Sequence, residues 1–279
     1  MRIGIVGLGL IGGSLGLDLR RFGHQVLGVS RQAQTCQRAI ERGAVDNASI
    51  DFVLLRDTDV VFLCTPIAAI APTLKQLVPH LSPETIITDV GSVKTVVVET
   101  ISPLWHNFVG GHPMAGTAET GIEAAQFKLF AGNPYVLTPI ETTPPAAVKI
   151  VEALVRSLTT KVYMCKPEDH DRAVAWISHL PVMVSASLVD ACTSETDSII
   201  LELARTLTSS GFRDTSRVGG GNAELGVMMA RYNRQSLLHS LRAYRQSLDQ
   251  LIELVEHEDW QSLEKRLQQT NLQRSQFLS

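Results

Sequence analysis

The segment 3-IGIVGLGLIGG-13 constrains the fold most, because it joins a short apolar strand to a helix through the glycine spacing G-x-G-x-x-G. The first glycine permits a tight turn, the second lets the backbone approach a pyrophosphate, and the third lets the helix pack on the strand. Free amides at the start of the helix then favour an anion. The segment predicts a dinucleotide site, the alternative being a tight strand–helix turn without a ligand. The expected cofactor contacts are Gly7, Gly9, Leu10, Ile11 and Gly12.

Short apolar runs alternate with helical patterns over residues 1–165, which predicts a dinucleotide-binding domain. Helical spacing is found in Ile11–Phe22 and Thr73–His80. Strands that alternate with helices favour a mostly parallel, doubly wound α/β sheet of the Rossmann type, and apolar runs without polar alternation fit strands buried on both faces. The predicted strands are Arg2–Val6, Gln25–Val29, Val60–Cys64, Thr85–Asp89, Pro134–Thr138 and Val162–Met164.

After about Lys166 the sequence has mainly helical patterns, which predict an all-α domain over residues 166–279. Helical spacing is found in Ser198–Ser210 and Gln235–Gln269. Within Leu237–Val255, apolar residues recur at i, i+3, i+4 and i+7, so this helix must bury an apolar stripe. It does so either in the domain core or against a second copy of the chain.

Charge and composition exclude several classes of partner. The formal net charge is -3 at pH 7 and no basic block stands out, which argues against nucleic acid. No apolar run approaches the roughly 18 residues of a membrane span, and no signal or transit peptide is recognised, so we expect a cytoplasmic protein without a membrane partner. The four cysteines form no close pair for a metal or a redox reaction. They are Cys36, Cys64, Cys165 and Cys192.

The end of the second predicted strand, 25-QVLGVSRQAQT-35, indicates which nucleotide is bound. Domains that bind NAD usually carry Asp or Glu here, and the carboxylate binds the ribose 2′-hydroxyl. This chain has Ser30 followed by Arg31, and a hydroxyl with a guanidinium binds a 2′-phosphate through charge-assisted hydrogen bonds. We therefore predict NADP, with Thr35 as a further hydroxyl. The alternative for Arg31 is a solvated surface arginine.

Two further strand ends fall where a doubly wound sheet binds ligands, beyond the carboxyl ends of its strands. The first is followed by Thr65 and Pro66, and the second by a turn that contains Ser92 and Lys94. The alternative is a helix N-cap at Ser92 or nearby, a role that is compatible with a catalytic hydroxyl. The residues predicted to line the cofactor site here are Cys64, Thr65, Pro66, Asp89 and Ser92.

His112 lies in 108-FVGGHP-113, which is typical of the end of a short strand on the same sheet edge as Asp89 and Ser92. A neutral imidazole there can hydrogen-bond a substrate alcohol and take its proton as hydride leaves for the nicotinamide. Histidine suits this role because its ordinary pKa of about 6.5 lies near working pH. The alternative is a structural histidine bonded to the backbone.

The helical half offers two further candidates. His179 lies in an apolar helix, where a histidine is more often a core residue, and Pro181 should kink that helix. The segment 211-GFRDTSRVGGGN-222 is predicted as a loop, and its arginines before a glycine run are typical of a carboxylate clamp. The alternative is a solvated loop.

Several motifs together resemble the prephenate/arogenate dehydrogenases of tyrosine biosynthesis, and the bacterial NADP-dependent arogenate dehydrogenases in particular. That family has a dinucleotide domain followed by a helical dimerisation domain, so the resemblance implies a homodimer through the C-terminal helices. The motifs are spread in the same order over nearly the whole chain. They are GLGLIGGSL, DVGSVK, GGHPMAGTAETG, AWISHLP and TSRVGGGN.

The resemblance implies an oxidative decarboxylation that needs no metal. Hydride leaves the carbinol carbon of a cyclohexadienol for the nicotinamide, CO2 departs, and the ring becomes aromatic, so arogenate gives tyrosine and prephenate gives 4-hydroxyphenylpyruvate. By motif, His112 is the catalytic histidine, Ser92 is its hydrogen-bonding partner, and Arg217 binds the substrate carboxylate. The implied substrate-binding residues are Arg217, His179, Asp214 and Gly221.

Three departures from the family pattern bear on the substrate. Many relatives that prefer prephenate have SHLPH, where this chain has Val182 as the last residue. Many have a tryptophan where this chain has Gly226, and many have a glutamate where this chain has Ala118 followed by Glu119. The changes at Val182 and Gly226 remove groups tied to prephenate recognition, so they favour arogenate.

Three alternatives stay open. The first is a prephenate dehydrogenase, and the second is another two-domain dehydrogenase, such as a 3-hydroxy acid or 6-phosphogluconate enzyme, which would use a lysine of the second domain. Here that domain has only Lys166 and Lys265, and neither lies in the helix of His179. The third is a non-catalytic NADP-binding regulator.

Overall fold

An eight-stranded sheet organises Met1–Asn233, the first of two units of the computed structural model. The structure describes residues 1–117 and 119–278. The strands are β1 (Arg2–Val6), β2 (Gln25–Val29), β3 (Asn47–Ser49), β4 (Val60–Leu63), β5 (Ile86–Asp89), β6 (Phe108–Pro113), β7 (Pro134–Thr138) and β8 (Lys161–Met164). Their order is β3-β2-β1-β4-β5-β6-β7-β8, and β6 pairs antiparallel with β7 whereas the other pairs are parallel.

Helices cover both faces of this sheet, as the doubly wound prediction requires. Along β4, Val60 and Phe62 belong to one apolar cluster whereas Val61 and Leu63 belong to the other, because successive strand residues point to opposite faces. The predicted fold class is therefore confirmed. The helices of this part are α1 (Leu10–Arg21), α2 (Ala33–Glu41), α3 (Ile67–Leu77), α4 (Thr95–Ile101) and α5 (Pro145–Ser157).

The predicted elements agree with the structure except at a few boundaries. Strand β3 was not predicted, because its three residues, NAS, carry no apolar pattern. The helix predicted from Thr73 begins at Ile67 instead and continues through Pro72. It ends at Leu77, and a single 3-10 turn over Val78–His80 follows, since Pro79 has no amide hydrogen for the next helical bond.

One long helical run, Pro167–Thr193, consists of α6 (Pro167–Val174), a π-helical turn (Ala175–His179) and α7 (Leu180–Thr193). The predicted kink at Pro181 takes the form of this turn, because proline cannot donate to an α-helical carbonyl and disturbs the preceding turn. By length and composition alone the run is apolar enough to cross a membrane. This differs from the expectation that no apolar run has the length of a membrane span. The same run carries buried polar residues, His170 and Asp171, that bond to the sheet domain.

The helix predicted over Ser198–Ser210 ends at Thr206, and two helices that were not predicted follow it. These helices are α8 (Ser198–Thr206), α9 (Ser210–Ser216) and α10 (Ala223–Tyr232). The prediction of a loop over residues 211–222 is wrong in its first half, where α9 forms and packs against α7. This helix ends at Ser216, and the chain then turns through the glycines before α10.

The second unit, Arg234–Ser279, contains two packed helices, α11 (Arg234–Glu256) and α12 (Trp260–Leu278). A single helix over Gln235–Gln269 was predicted, but the chain turns at Glu258, which has a positive φ of 52°. Part of the apolar stripe of α11 is exposed in the single chain, including Leu248 and Ile252. Its burial against a second copy stays a prediction, as does a domain boundary at residues 165/166.

Candidate active site

Four neighbouring strands bring the predicted site residues to one edge of the sheet. Strands β1, β4, β5 and β6 are parallel neighbours, so their carboxyl ends lie side by side. Gly7 follows β1, Thr65 follows β4, Asp89 ends β5, and His112 lies near the end of β6. This is the edge at which doubly wound sheets bind their ligands.

The glycine turn has the geometry that a pyrophosphate site requires. Gly7 has a φ of +98°, and a β-carbon there would lie 2.6 Å from the Cys64 carbonyl oxygen. A β-carbon on Gly12 would lie 2.0 Å from the Gly7 carbonyl oxygen, whereas one on Gly9 would meet nothing within 4 Å. Gly7 and Gly12 therefore serve close backbone packing, and the open space is in front of Gly9. No side chain caps α1 at this end, so its first amides can bind an anion.

The turn after β4 adds a hydroxyl that needs a partner. Thr65 Oγ1 is buried, and it has no hydrogen-bond partner within residues 1–117 and 119–278. A buried hydroxyl of this kind normally bonds to protein, water or ligand. Burial raises the pKa of the neighbouring Cys64 thiol, so this group stays protonated and lines the site as an apolar side chain.

The predicted nucleotide-selecting residues lie together after β2. The Ser30 amide donates to the Ser49 carbonyl at 3.2 Å, which holds the turn in place. Arg31 is exposed, and its guanidinium forms no ion pair with a described residue. Thr35 Oγ1 lies 3.4 Å from Gln32 Oε1. The guanidinium is thus available to a ligand, whereas the Thr35 hydroxyl donates to Gln32 and would exchange that bond for one to a ligand.

Asp89 and Lys94 form a buried ion pair between β5 and β6. Lys94 Nζ donates to Asp89 and to the Gly111 carbonyl, the latter at 2.7 Å, and both side chains are fully buried. Asp89 also accepts from the amides of Gly91 and Gly111, at 2.8 and 3.1 Å. The carboxylate that was predicted to contact the cofactor is therefore bonded within the protein, and a cofactor contact by Asp89 stays a prediction.

The glycines before His112 are explained by packing within the sheet. A β-carbon on Gly111 would lie 2.8 Å from the Asp89 carbonyl oxygen, and one on Gly110 would lie 2.4 Å from Thr138 Oγ1. Both contacts are with residues of neighbouring strands. The glycines thus let β6 approach β5 and β7 closely, which places His112 at the edge.

His112 is buried and contacts a second histidine. Its Nδ1 atom lies 2.8 Å from Nε2 of His170 on α6, and the two rings are nearly perpendicular, at 75°. Nε2 of His112 has no hydrogen-bond partner in the described part of the chain. The pKa of His112 lies well below its ordinary value, because burial and then the nearby His170, Lys94 and His179 disfavour the cation. The ring is therefore neutral at physiological pH.

Asp171 connects this pair to the start of α4. Its Oδ1 lies 2.8 Å from His170 Nδ1 and accepts from the Lys94 amide at 2.7 Å, while Oδ2 accepts from the Thr95 amide at 2.9 Å. Burial alone would raise the pKa of Asp171, but the bonds from His170, Lys94 and Thr95 together lower it. This carboxylate caps α4, whose N-cap residue is Lys94, so the N-cap predicted at Ser92 or nearby lies two residues after Ser92.

His179 also belongs to this buried cluster. Asn233 Nδ2 donates to the Asp171 carbonyl at 2.7 Å and lies 3.2 Å from His179 Nδ1. The carbonyl bond fixes the amide orientation of Asn233, so His179 Nδ1 accepts and its Nε2 carries the hydrogen. That Nε2 is buried without a partner among the residues described. Burial lowers the pKa of His179 to about 4, so the ring is neutral and offers one free donor.

The remaining predicted residues are not joined to this cluster by a described bond. Ser92 is half-buried after β5, but the partner of His112 Nδ1 is His170 rather than the predicted Ser92. Arg217 and Asp214 are exposed, at the end of α9 and within it. The Gly221 amide donates to the Val218 carbonyl at 3.4 Å. Ala118, where relatives carry glutamate, lies outside the described residues.

Sequence reasoning missed His170, Asp171 and Asn233 as parts of this site. The available signal was the pair His170-Asp171 in the first turns of the helix that opens the second half. Acidic residues in a first helical turn normally serve the helix itself, so the pair did not stand out. Asn233 ends α10 and carries no motif that predicts its role.

Known family profiles match the chain over two consecutive stretches. The nucleotide-binding domain of prephenate dehydrogenase matches residues 15–164, and the dimerization domain of prephenate dehydrogenase matches residues 166–269. The prephenate dehydrogenase of Bacillus subtilis (strain 168) is 30% identical over 266 residues, which are 93% of this chain and 71% of the relative.

Two solved structures are similar over nearly the whole chain. Synechocystis arogenate dehydrogenase is 58% identical with a TM-score of 0.89, and the match covers 99% of this chain and 100% of that one. The prephenate dehydrogenase from A. aeolicus, in complex with hydroxyphenyl propionate and NAD+, is 28% identical with a TM-score of 0.93, covering 99% and 98%. As its motifs predicted, the chain therefore belongs to the prephenate dehydrogenase family, and it is a dehydrogenase with a nicotinamide dinucleotide cofactor.

Proposed function

We propose that the protein catalyses the NADP-dependent oxidative decarboxylation of arogenate to tyrosine. The observation that carries this proposal is the neutral, buried His112 at the sheet edge, whose Nε2 atom has no partner in the described chain. A base must be neutral to accept a proton, and its pKa must not lie above working pH. His112 satisfies both conditions beside the glycine turn that fits a pyrophosphate.

In the proposed reaction, His112 accepts the proton of the ring hydroxyl as that oxygen becomes a carbonyl. When bound, the oxidised nicotinamide accepts the hydride that leaves the same ring carbon. The electron pair of the C–CO2 bond then passes through the ring to the oxygen, which takes the proton back from His112. No net proton is released, and aromatisation drives the step, so the protein chiefly supplies alignment and a proton acceptor.

Substrate contacts are proposed for His179 and for residues in α9 and in the turn that follows it. The free Nε2–H of His179 is a buried donor that an oxygen of the substrate can satisfy. Arg217 is proposed to bind a substrate carboxylate bidentately, with Asp214 and Gly221 beside it. Ser92 is proposed to contact the substrate and the nicotinamide, because it lies at the same sheet edge as His112.

NADP is proposed over NAD from the residues after β2. Ser30 replaces the acidic residue that would bind a 2′-hydroxyl, and Arg31 has a guanidinium without a described ion-pair partner. A 2′-phosphate supplies the anion that Arg31 lacks, and Thr35 adds a hydroxyl close by. At the other end, the turn amides of α1 and Thr65 are proposed to bind the pyrophosphate and the nicotinamide half.

Arogenate is proposed as the preferred substrate, rather than prephenate, because of Val182 and Gly226. Neither residue can donate a side-chain hydrogen bond, so an anionic pyruvyl side chain would lose partners there. The 58% identity to Synechocystis arogenate dehydrogenase supports the same choice. The second candidate is a prephenate dehydrogenase, which the relatives named for that activity favour.

The test is to measure kcat/KM for both substrates with both cofactors. We expect the highest value for arogenate with NADP and a clearly lower one for each other combination. A higher value for prephenate with either cofactor would contradict the proposed substrate, and a higher value with NAD would contradict the proposed cofactor. No turnover in any combination would instead favour a non-catalytic nucleotide-binding protein.

We also propose that the protein acts as a cytoplasmic homodimer through its C-terminal helices. The matched dimerization domain and the exposed apolar residues of α11 support this. Light scattering coupled to gel filtration should give twice the mass of the 30.5 kDa chain. A monomer at micromolar concentration would contradict it.

A further inference from the structure

We propose that His170 and Asp171 fix the tautomer of His112, so that its Nδ1 carries the hydrogen and its Nε2 keeps the lone pair that accepts the substrate proton. This inference rests on the proposed role of His112 as the base. In that reaction His170 and Asp171 touch neither the substrate nor the cofactor. They are positioning residues that act through the ring of His112.

The direction of the hydrogen bonds begins at Asp171. An ionised carboxylate only accepts hydrogen bonds, and the amides of Lys94 and Thr95 already donate to its two oxygens. The lowered pKa of Asp171 keeps the carboxylate ionised. The 2.8 Å contact with His170 Nδ1 is therefore a bond that His170 donates.

A neutral imidazole has one N–H, so if one ring nitrogen donates a hydrogen bond, the other ring nitrogen can only accept one. With its hydrogen on Nδ1, His170 has an acceptor at Nε2, and His112 Nδ1 must donate across the 2.8 Å contact. The hydrogen of His112 is then on Nδ1, and Nε2 is left with a lone pair. Without this chain of bonds, an imidazole populates both tautomers, and only one of them can accept the proton at Nε2.

The rest of the cluster holds this chain in place. The Lys94 ammonium is paired with Asp89 and the Gly111 carbonyl, so it does not compete for Asp171. Asn233 donates to the Asp171 carbonyl at 2.7 Å and contacts His179 at 3.2 Å. Of the titratable groups that act on His112, Lys94 is paired with Asp89, His170 with Asp171, and His179 is bonded through its Nδ1 atom to Asn233. A cationic His170 would donate from both nitrogens and give His112 the opposite tautomer.

The direct test reads the tautomer of the intact protein without catalysis. Long-range proton–nitrogen correlation spectra of the protein with 15N-labelled histidine distinguish protonated from unprotonated ring nitrogens, and the spectrum of His112→Gln assigns the His112 signals. We expect Nδ1 protonated and Nε2 unprotonated. A hydrogen on Nε2, or an equal mixture of tautomers, would overturn the proposal even if His112 is the base.

A matched pair of variants tests the consequence for turnover. His170→Leu removes the acceptor, so kcat should fall on the order of 10- to 100-fold, as for other residues that orient an imidazole, while the Kd for NADP stays unchanged. His170→Gln keeps a carbonyl that can accept from His112 and an amide that can donate to Asp171, so it should restore most of kcat. Equal kcat values for His170→Leu and wild type would overturn the proposal. So would a folded His170→Gln variant whose kcat is as low as that of His170→Leu. Failure of the base itself is detected separately, by turnover in His112→Asn.

Discussion

The Cγ1 atom of Val182 lies 3.9 Å from the position that a β-carbon on Gly226 would occupy. Two positions at which this chain departs from its prephenate-preferring relatives are therefore neighbours, one on α7 and one on α10. A side chain added at 226 would therefore contact the residue at 182. The two departures thus form one local change in shape and polarity, which the sequence alone did not reveal.

Val182→His should shift substrate preference towards prephenate. A new imidazole can donate to the side-chain carboxylate of prephenate, and a hydrogen bond to a charged group contributes about 1.5–3 kcal/mol, or roughly 10- to 100-fold in the ratio of kcat/KM values. Steady-state kinetics with both substrates measure this ratio. Gly226→Ala is the control, because its β-carbon makes only an ordinary contact. An unchanged ratio in Val182→His would remove Val182 from the proposed specificity.

We expect His112→Asn to lose most of its kcat, while its Kd for NADP stays unchanged. Removing a general base typically costs about 100- to 10,000-fold, and asparagine keeps a polar side chain of similar reach to Nδ1. Turnover of arogenate and the Kd for NADP from fluorescence titration separate catalysis from binding. His106→Asn, which changes an exposed histidine, should leave both unchanged. Wild-type turnover in His112→Asn would refute the assignment of the base.

We expect Arg31→Ala to weaken the binding of NADP and to leave the binding of NAD nearly unchanged. Loss of a charge-assisted bond to the 2′-phosphate costs about 1.5–3 kcal/mol, which raises the Kd roughly 10- to 100-fold. Titrations with both cofactors at fixed ionic strength measure the difference. Arg56→Ala removes another exposed arginine and is the control. An equal loss of affinity for both cofactors would show that Arg31 does not bind the 2′-phosphate.

The residues that sequence reasoning found differ in kind from those it missed. The glycine turn was predictable because the positive φ of Gly7 and the approach of Gly12 to the Gly7 carbonyl are demands of the local backbone. Asp171 was not, because its partner Thr95 lies 76 positions away. Asn233 and Asp171 are 62 positions apart, and neither belongs to a periodic pattern. Such contacts depend on how α6 and α10 pack against the sheet, which hydrophobic periodicity does not specify.

The same distinction applies to the backbone. Apolar strands buried on both faces were recognised almost to the residue, because burial dictates their composition. The π-helical turn before Leu180 was predicted only as a kink at Pro181, since proline identifies the place but not the geometry. The short helix α9 was missed, because GFRDTS contains a glycine and small polar residues that are typical of loops.

We expect the free energy of unfolding to fall as the pH drops below about 6.5, because His179 titrates differently in the folded and unfolded states. His179 has a pKa of about 4 in the folded protein, whereas in the unfolded chain it binds a proton near 6.5. The unfolded state therefore holds more protons between these values, so the free energy of unfolding rises with pH across this window and is fully restored above it. Each such histidine contributes a slope of up to about 1.4 kcal/mol per pH unit.

His179→Gln should reduce this slope, because glutamine does not titrate. Urea unfolding at several pH values between about 4 and 7 measures the slope for wild type and variant. His257→Gln, at an exposed histidine, should leave it unchanged. Identical slopes for His179→Gln and wild type would show that His179 titrates alike in both states.

Lys94→Met should destabilise the fold strongly, and a second substitution should recover part of the loss. Methionine leaves the fully buried Asp89 carboxylate without its cation and the Gly111 carbonyl without a donor, which costs about 3–5 kcal/mol. Asp89→Asn combined with Lys94→Met removes both charges and keeps one amide oxygen, which can replace the carboxylate acceptor of either the Gly91 or the Gly111 amide. The double variant should therefore be more stable than the sum of the single changes predicts, and denaturant unfolding of all four proteins measures this coupling. Additive losses would mean that the two charges act independently, and the sheet edge that carries His112 would not depend on their pairing.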